Sequence, residues 1–355
     1  MHGAMVEAAR AAYRIDGSDE EWLARLLSQV VLELGARHGA WVATYDASGD
    51  RGLSLGALAG ERMFPGWETA VRLGVGLVPA SQRRRAMSAG ACATLSQILG
   101  VGFLRRPPTS ELLRAIGGCD ALGLNARDPS GRGVIFAVSL DAVGSVAPTD
   151  VARWERIAAH VAAGWRLRRT LKGGLGGPLV GAEAVLERDG RLCHAERWAE
   201  PARPALRDAA KALSQAAEPC GDVDRLFDGW QGLVAGRWTL IDHFDTDGRR
   251  YYIARKNDPA APGHAALTGR QRQIVGFAAL GHPNKLIAYE LGLSEAAVST
   301  HLRRAAERLG VASRQALIAA FAASAGAPEA VDERAPADAD PTAASRLPPL
   351  ARDAT

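Results

Sequence analysis

Lysine is scarce in this chain: Lys172, Lys211, Lys256 and Lys285 are the only four among 43 basic residues. Where arginine is this abundant, an arginine cluster carries little meaning on its own, and a basic site has to be argued from position. The formal net charge is only +4 over 355 residues, so any surface for an acidic partner must be local. Cysteine is also sparse. Cys92, Cys119, Cys193 and Cys220 form no C-x-x-C pair and share no zinc-finger spacing with histidine, so they are expected to be buried free thiols in a reducing cytoplasm. No apolar run reaches the roughly 18 to 20 residues of a membrane span. The first residues, "MHGAMVEAARAAYRIDGSDE", lack the apolar stretch of a secretory signal. The expected location is the cytoplasm, with no membrane partner.

Catalytic signatures are absent as well. There is no G-x-S-x-G elbow and no H-E-x-x-H pair. The glycine-rich "KGGLGGP" (172–178) lacks the G-K-[ST] ending of a phosphate loop and reads as a linker. No catalytic residue, cofactor or metal ligand is therefore assigned, and the chain is not expected to be an enzyme.

What is present is an ordinary globular balance, 47% hydrophobic and 23% charged, at a length that fits two or three domains. Residues 1–17 are expected to be a flexible N-terminus. Ser18 and Glu21 have capping-box spacing ahead of Leu23, Leu26, Leu27, Val30, Val31 and Leu34 at helical intervals. "AWVATYD" (40–46) is strand-like, and "CDALGLNARDPSGRGVIFAVSL" (119–140) predicts a hairpin turning at Asp128-Pro129-Ser130-Gly131. After Pro148, the stripe Val151, Trp154, Ala158, Val161 and Trp165 predicts a long helix packing against the 19–34 helix, within one chain or across a dimer. Arg166, Arg168, Arg169 and Lys172 at its end complement the helix dipole, or alternatively contact nucleic acid.

Residues 179–258 predict a small α+β unit, with hairpins at Asp189-Gly190 and Asp247-Gly248 and helical stretches at about 203–217 and 223–235. "DPAAPGHAA" (258–266) reads as a second linker. Beyond 322 the chain is rich in Ala, Pro and Asp, and 323–355 are expected to be disordered.

The segment between is the most explicit. Thr268 and Gln271 form a capping box, and Ile274, Val275, Ala278 and Leu280 follow on one face. Gly281 suits the left-handed stop, and Asn284 opens a helix carrying Ile287, Ala288 and Leu291. Gly292 permits a sharp turn and Ser294 caps a third helix, 295–309. In that helix Val298, Leu302, Ala305 and Leu309 point inward, leaving Ala296, Ser299, Thr300, Arg303 and Arg304 on the other face. A small residue at a helix crossing, a flexible turn and an apolar anchor make a helix-turn-helix. Its second helix can enter a major groove, with Arg303 or Arg304 reaching guanine edges or phosphates. Lys285 and the helix N-termini suit phosphate contacts.

These residues resemble the LuxR-type helix-turn-helix family of bacterial transcription regulators. The family pattern runs roughly L-T-x-R-E-x-E-V, G-x-[ST]-N-K-E-I-A, L-x-[LI]-S-x-x-T-V-[KS]-x-H and K-L-G-V. Leu267, Thr268, Arg270, Asn284, Lys285, Ile287, Ala288, Leu291, Ser294, Val298, His301 and Leu309-Gly310-Val311 fall on it. Gln271 and Gln273 replace glutamates, Pro283 replaces Ser/Thr, Leu286 replaces Glu or Gln, Ala297 replaces Thr, and Ser299 stands where many members carry a base-contacting lysine. The resemblance implies double-stranded DNA as partner, read through Lys285, Ser294, Ala296, Ser299, Thr300, Arg303 and Arg304. It also implies a homodimer, with RNA polymerase as a further partner. His301 is expected to be packed rather than on DNA. Leu317, Ile318 and Phe321 of the fourth helix serve either a dimer surface or the core.

Upstream, the order helix, strand, helices, hairpin and closing helix resembles a GAF-like sensor, which implies an unidentified small-molecule effector. The expected architecture is multidomain α+β: a GAF-like α/β sensor and dimerisation domain (18–172), a small α+β unit (179–258) and an all-α four-helix LuxR-type domain (264–322). The expected function is a DNA-binding transcription regulator. The alternative is a DNA-tethered enzyme or protein-docking module.

Overall fold

The computed structural model describes residues 3–48, 53–79, 82, 86, 90–107, 109–172, 181–216, 233–244, 250–261 and 263–325. The "KGGLGGP" linker after Lys172, most of the 223–235 helical stretch, the Asp247-Gly248 turn, Cys220 and the tail from 326 onward lie outside them.

Two N-terminal helices, α1 (Gly3–Ala12) and α2 (Asp19–Leu34), precede an antiparallel sheet. The predicted capping box starts α2: Glu21 N–H donates to Ser18 Oγ at 3.1 Å, and Ser18 N–H donates back to the Glu21 carboxylate at 2.9 Å. The strands are β1 (Ala40–Asp46), β2 (Ser54–Glu61), β3 (Cys92–Thr94), β4 (Asp120–Arg127) and β5 (Arg132–Leu140), in the order β2-β1-β5-β4-β3. Short helices, α3 (Trp67–Leu77), α4 (Leu95–Leu99), α5 (Val101–Leu104) and α6 (Thr109–Ala115), lie between them in sequence. The two-residue period splits each strand between two cores. Ala40, Val42, Phe136 and Val138 join the core beneath the helices, whereas Trp41 and Ala43 join a second cluster with Leu58 and Val71.

The long helix α7 (Pro148–Lys172) closes the first core with Trp154, Ile157, Ala158 and Val161. The expected meeting with α2 occurs within the chain: Trp165 stacks on Trp22 with ring centroids 5.8 Å apart. The flexible N-terminus expected over 1–17 is corrected for the described part. Met5, Val6, Ala8, Ala9 and Ala12 of α1 are buried in the first core. A Cβ on Gly164 of α7 would lie 2.1 Å from the Ala12 carbonyl, so the two backbones touch there and only glycine fits.

Two of the arginines near the end of α7, Arg166 and Arg168, are buried and bonded within the chain rather than presented to a nucleic acid. Arg168 is 1% exposed and donates to the carbonyls of Arg14 (3.1 Å), Asp16 (3.2 Å), Gly17 (2.9 Å) and Ser18 (3.1 Å), and to Asp19 Oδ1 (3.1 Å). Its planar fork satisfies the connection between α1 and α2. Arg166 pairs with buried Asp128 at the tip of the β4–β5 hairpin and donates to Asn257.

The middle unit is an antiparallel sheet, order β7-β6-β9-β8, made of β6 (Ala182–Glu187), β7 (Leu192–Ala195), β8 (Trp238–Phe244) and β9 (Arg250–Lys256). Helix α8 (Arg203–Ala216) packs Leu206 and Ala210 against Leu186, Leu240, Tyr252 and Ala254. The 258–266 linker is not a loose tether: Pro259 is buried and its carbonyl accepts from Gln273 Nε2 at 3.0 Å. The cysteines also depart from expectation, since Cys92 is buried while Cys119 and Cys193 are exposed. Four helices complete the fold: α9 (Gly269–Ala279), α10 (Asn284–Leu291), α11 (Glu295–Leu309) and α12 (Arg314–Ala325).

Candidate nucleic-acid interface

The geometry of the four-helix unit is set by backbone punctuation. Thr268 starts α9 through the predicted capping box, with Gln271 in the role a glutamate would fill. Its amide oxygen also accepts from Arg308 at 3.1 Å, which ties α11 back to α9. Gly281 (φ 84°) and Gly292 (φ 61°) occupy left-handed conformations, which glycine tolerates without strain. Leu293 N–H donates to the Ala288 carbonyl at 2.9 Å, closing the turn. Ser294 Oγ then accepts from Ala297 N–H at 3.2 Å and starts α11. Ile274, Val275, Phe277, Ile287, Leu291, Val298, Leu302 and Ala305 form one buried cluster. Leu317 and Phe321 of α12 belong to it, so they serve the core, with Ile318 packed at its edge.

The predicted site residues are brought together, with differing roles. Lys285, Ser294, Ala296, Ser299, Arg303 and Arg304 are exposed, and Thr300 is half-buried. Ser294 is committed to its cap. Thr300 donates to the Ala296 carbonyl at 2.9 Å, so its hydroxyl serves its own helix. Ser299 Oγ accepts from Asn284 Nδ2 at 3.1 Å, linking α11 to α10. Arg303 lies in an ion pair with Glu307 at 2.5 Å, the two side chains being 64% and 58% exposed. An exposed i, i+4 pair of this kind holds by well under 1 kcal/mol and yields to a stronger acceptor.

The other basic residues of the four-helix unit are occupied internally. Arg270 donates to the Leu291 carbonyl at 2.7 Å, and Arg272 to the Leu267 carbonyl at 3.0 Å. Arg308 is held by Gln271, while Arg314 donates to Asn284 Oδ1 at 2.5 Å and to the His282 carbonyl at 3.0 Å. Arg308 and Arg314 stay exposed although tethered in this way, so they share the outer surface with Lys285, Arg303 and Arg304. Asn284, missed as a site residue, is the hinge pin of the arrangement because it holds both Ser299 and Arg314. Its signal lay in its position one residue before Lys285.

Two departures from the family pattern have structural reasons. Pro283 offers no side-chain acceptor, so the first amides of α10 carry no side-chain cap. Leu286 is 4% exposed, so the position where the family carries a polar side chain is buried here. His301 is half-buried, and burial, then Arg270 and Arg304, push its pKa down.

Residues 265–321 match the model of the family described as GerE, bacterial regulatory proteins, luxR family. This segment is a LuxR-family helix-turn-helix domain, the class used by transcription regulators. Solved structures that align over most of the chain include two of SdiA. The crystal structure of Escherichia coli SdiA is 10% identical, covering 87% of this chain and 92% of that one, with a TM-score of 0.28. SdiA in complex with octanoyl-rac-glycerol is 10% identical, covering 89% and 93%, with a TM-score of 0.30. Superposition at that level assigns nothing to the upstream domains. No curated protein matches the chain. Among the described residues, no helix is long and apolar enough to cross a membrane, and no group of three or more His, Cys, Asp or Glu is placed to hold a metal ion.

Proposed function

We propose that the chain is a sequence-specific DNA-binding transcription regulator in which α11 enters the major groove. The carrying observation is the outward set Lys285, Ser299, Arg303 and Arg304 on the exposed face of a LuxR-family helix-turn-helix. Arg303 and Arg304 lie two turns into α11, where a guanidinium fork can meet guanine O6 and N7. Lys285 and the uncapped first amides of α10 suit phosphate oxygens. Ser294 and Thr300 act through the geometry of α11, Ser294 by capping it, and Ala296 offers a methyl to a thymine edge. The upstream sheet, layered under α1, α2 and α7, supports a GAF-like sensor domain controlled by a small-molecule effector. The functional unit is a homodimer in the cytoplasm that acts on RNA polymerase.

Fluorescence anisotropy of the full chain on labelled fragments of its own genome, over a salt series, tests this reading. Lys285, Arg303 and Arg304 on phosphates or bases release about three counterions per domain, so the slope of log affinity against log salt should be roughly −3 for each bound domain. Failure to bind any fragment, even at low salt, overturns it.

A further inference from the structure

The helix-turn-helix is attached to the rest of the molecule through α9 and α10. A Cβ on Gly276 of α9 would stand 3.0 Å from Pro129 Cβ at the β4–β5 hairpin tip, so α9 rests directly on the first domain. On α10, Leu286 and Glu290 are buried, and the Arg156 guanidinium of α7 sits 5.8 Å from the Tyr289 ring centre. Buried Glu290 approaches His282 to 3.0 Å, and His282 stacks on Phe277.

At the centre of this contact lies His160 of α7, fully buried, between two tyrosines from opposite ends of the chain. Tyr13, at the end of α1, meets His160 Nδ1 at 2.8 Å, and Tyr289 of α10 meets His160 Nε2 at 2.5 Å. Both tyrosine rings stand edge-on to the imidazole, with centroids 5.6 Å away and interplanar angles of 85° and 88°. A neutral imidazole has one donor and one acceptor nitrogen, and a tyrosine hydroxyl can play either part. Both bonds can therefore be made at once, in either tautomer. Burial, then nearby Arg156, hold His160 down to a pKa of about 3, so the ring is neutral at ordinary pH. The edge-on rings leave little freedom to slide: displacing α1 displaces the hydroxyl that orients His160, and with it the partner of Tyr289.

We propose that Tyr13, His160 and Tyr289 form a latch that holds the DNA-binding domain on α7 with its reading face free. The latch passes movements of α1 and α7 in the first domain to the scaffold helix α10. This contact goes beyond DNA binding itself. None of its three residues lies on the outer face of α11, so its test requires no DNA and its failure would leave the DNA-reading proposal standing.

Hydrogen exchange by mass spectrometry on the full chain, comparing wild type with Tyr289→Phe and Tyr13→Phe, tests the latch. Each variant removes one hydroxyl and keeps the ring. In both, amides of 284–291 should exchange about tenfold faster, the scale of one lost buried hydrogen bond, with β1, β4 and β5 unchanged. Tyr13→Phe is the critical variant, because Tyr13 belongs to the first domain and reaches α10 through His160. Wild-type exchange over 284–291 in Tyr13→Phe overturns the latch. Equal acceleration in β1, β4 and β5 overturns it too, since the hydroxyls would then support overall stability rather than docking.

Discussion

Acidification should weaken the fold through His160 in a calculable way. Burial, with Arg156 adding to it, lowers the pKa of this histidine from 6.5 to about 3. A folded pKa below the unfolded one means that the unfolded chain binds the proton first as pH falls. The contribution is therefore complete above pH 6.5 and is lost progressively as pH drops toward 3. In that window one proton costs about 1.4 kcal/mol per pH unit. From pH 7.5 to 5.5 the loss integrates to about 1.4 kcal/mol, since the first unit changes little. Urea unfolding, followed by tryptophan fluorescence from the core holding Trp22, Trp154 and Trp165, gives the stability at each pH. His160→Gln retains a donor and an acceptor without titrating, so subtracting it cancels the other ionisable groups. The wild-type advantage over His160→Gln should shrink by about 1.4 kcal/mol between pH 7.5 and 5.5. A difference that stays constant over this range would show that His160 is not held neutral by burial.

Gly276→Ala should destabilise the full chain by about 1 kcal/mol despite the helix preference of alanine, because the new methyl meets Pro129 Cβ at 3.0 Å. Chemical denaturation of the full chain checks the sign, and a stabilised variant would mean that the hairpin tip yields freely. Arg168→Ala should cost about 3 kcal/mol by leaving the carbonyls of residues 14, 16, 17 and 18 without their shared donor. Arg168→Lys should restore less than half of the loss, since an ammonium lacks the planar fork; a full rescue in thermal melts would refute the geometric argument. Lys285→Ala should weaken all DNA sequences about equally and make the salt slope shallower by about one unit, measured by anisotropy over a salt series.

The helix-turn-helix was legible in the sequence because its instructions are local. Thr268, Gly281, Gly292 and Ser294 each act on residues within one turn, and the structure uses each as its chemistry dictates. The β4–β5 hairpin was legible for the same reason, through its Asp-Pro-Ser-Gly turn. What stayed hidden depends on partners far along the chain. Helix α1 is half alanine, too small to give a strong periodic stripe, and its burial follows from the opening at Gly164. Arg168 reads as one basic residue in a cluster until the folded chain places four carbonyls around it. Leu286 reads only as a departure from the family pattern and Tyr289 gives no signal at all, yet Leu286 is buried and Tyr289 bonds His160 of α7. Of the candidate site residues, the sequence did not reveal the local bonds: Ser294 is engaged as a cap, and Thr300 with its own helix.

The central claim is that α11 reads bases, and Arg303 tests it most directly. Binding selection on randomised duplexes, run in parallel with the wild-type chain and Arg303→Ala, yields affinity and base preference together. In the wild type Arg303 is held by an exposed pair with Glu307, which gives way readily to a guanine edge. The substitution should weaken the best site by roughly 1 to 3 kcal/mol and relax the preference at one base position, leaving the others intact. Unchanged preferences with uniformly lower affinity would place Arg303 on phosphate and contradict the account of α11 as the reading helix.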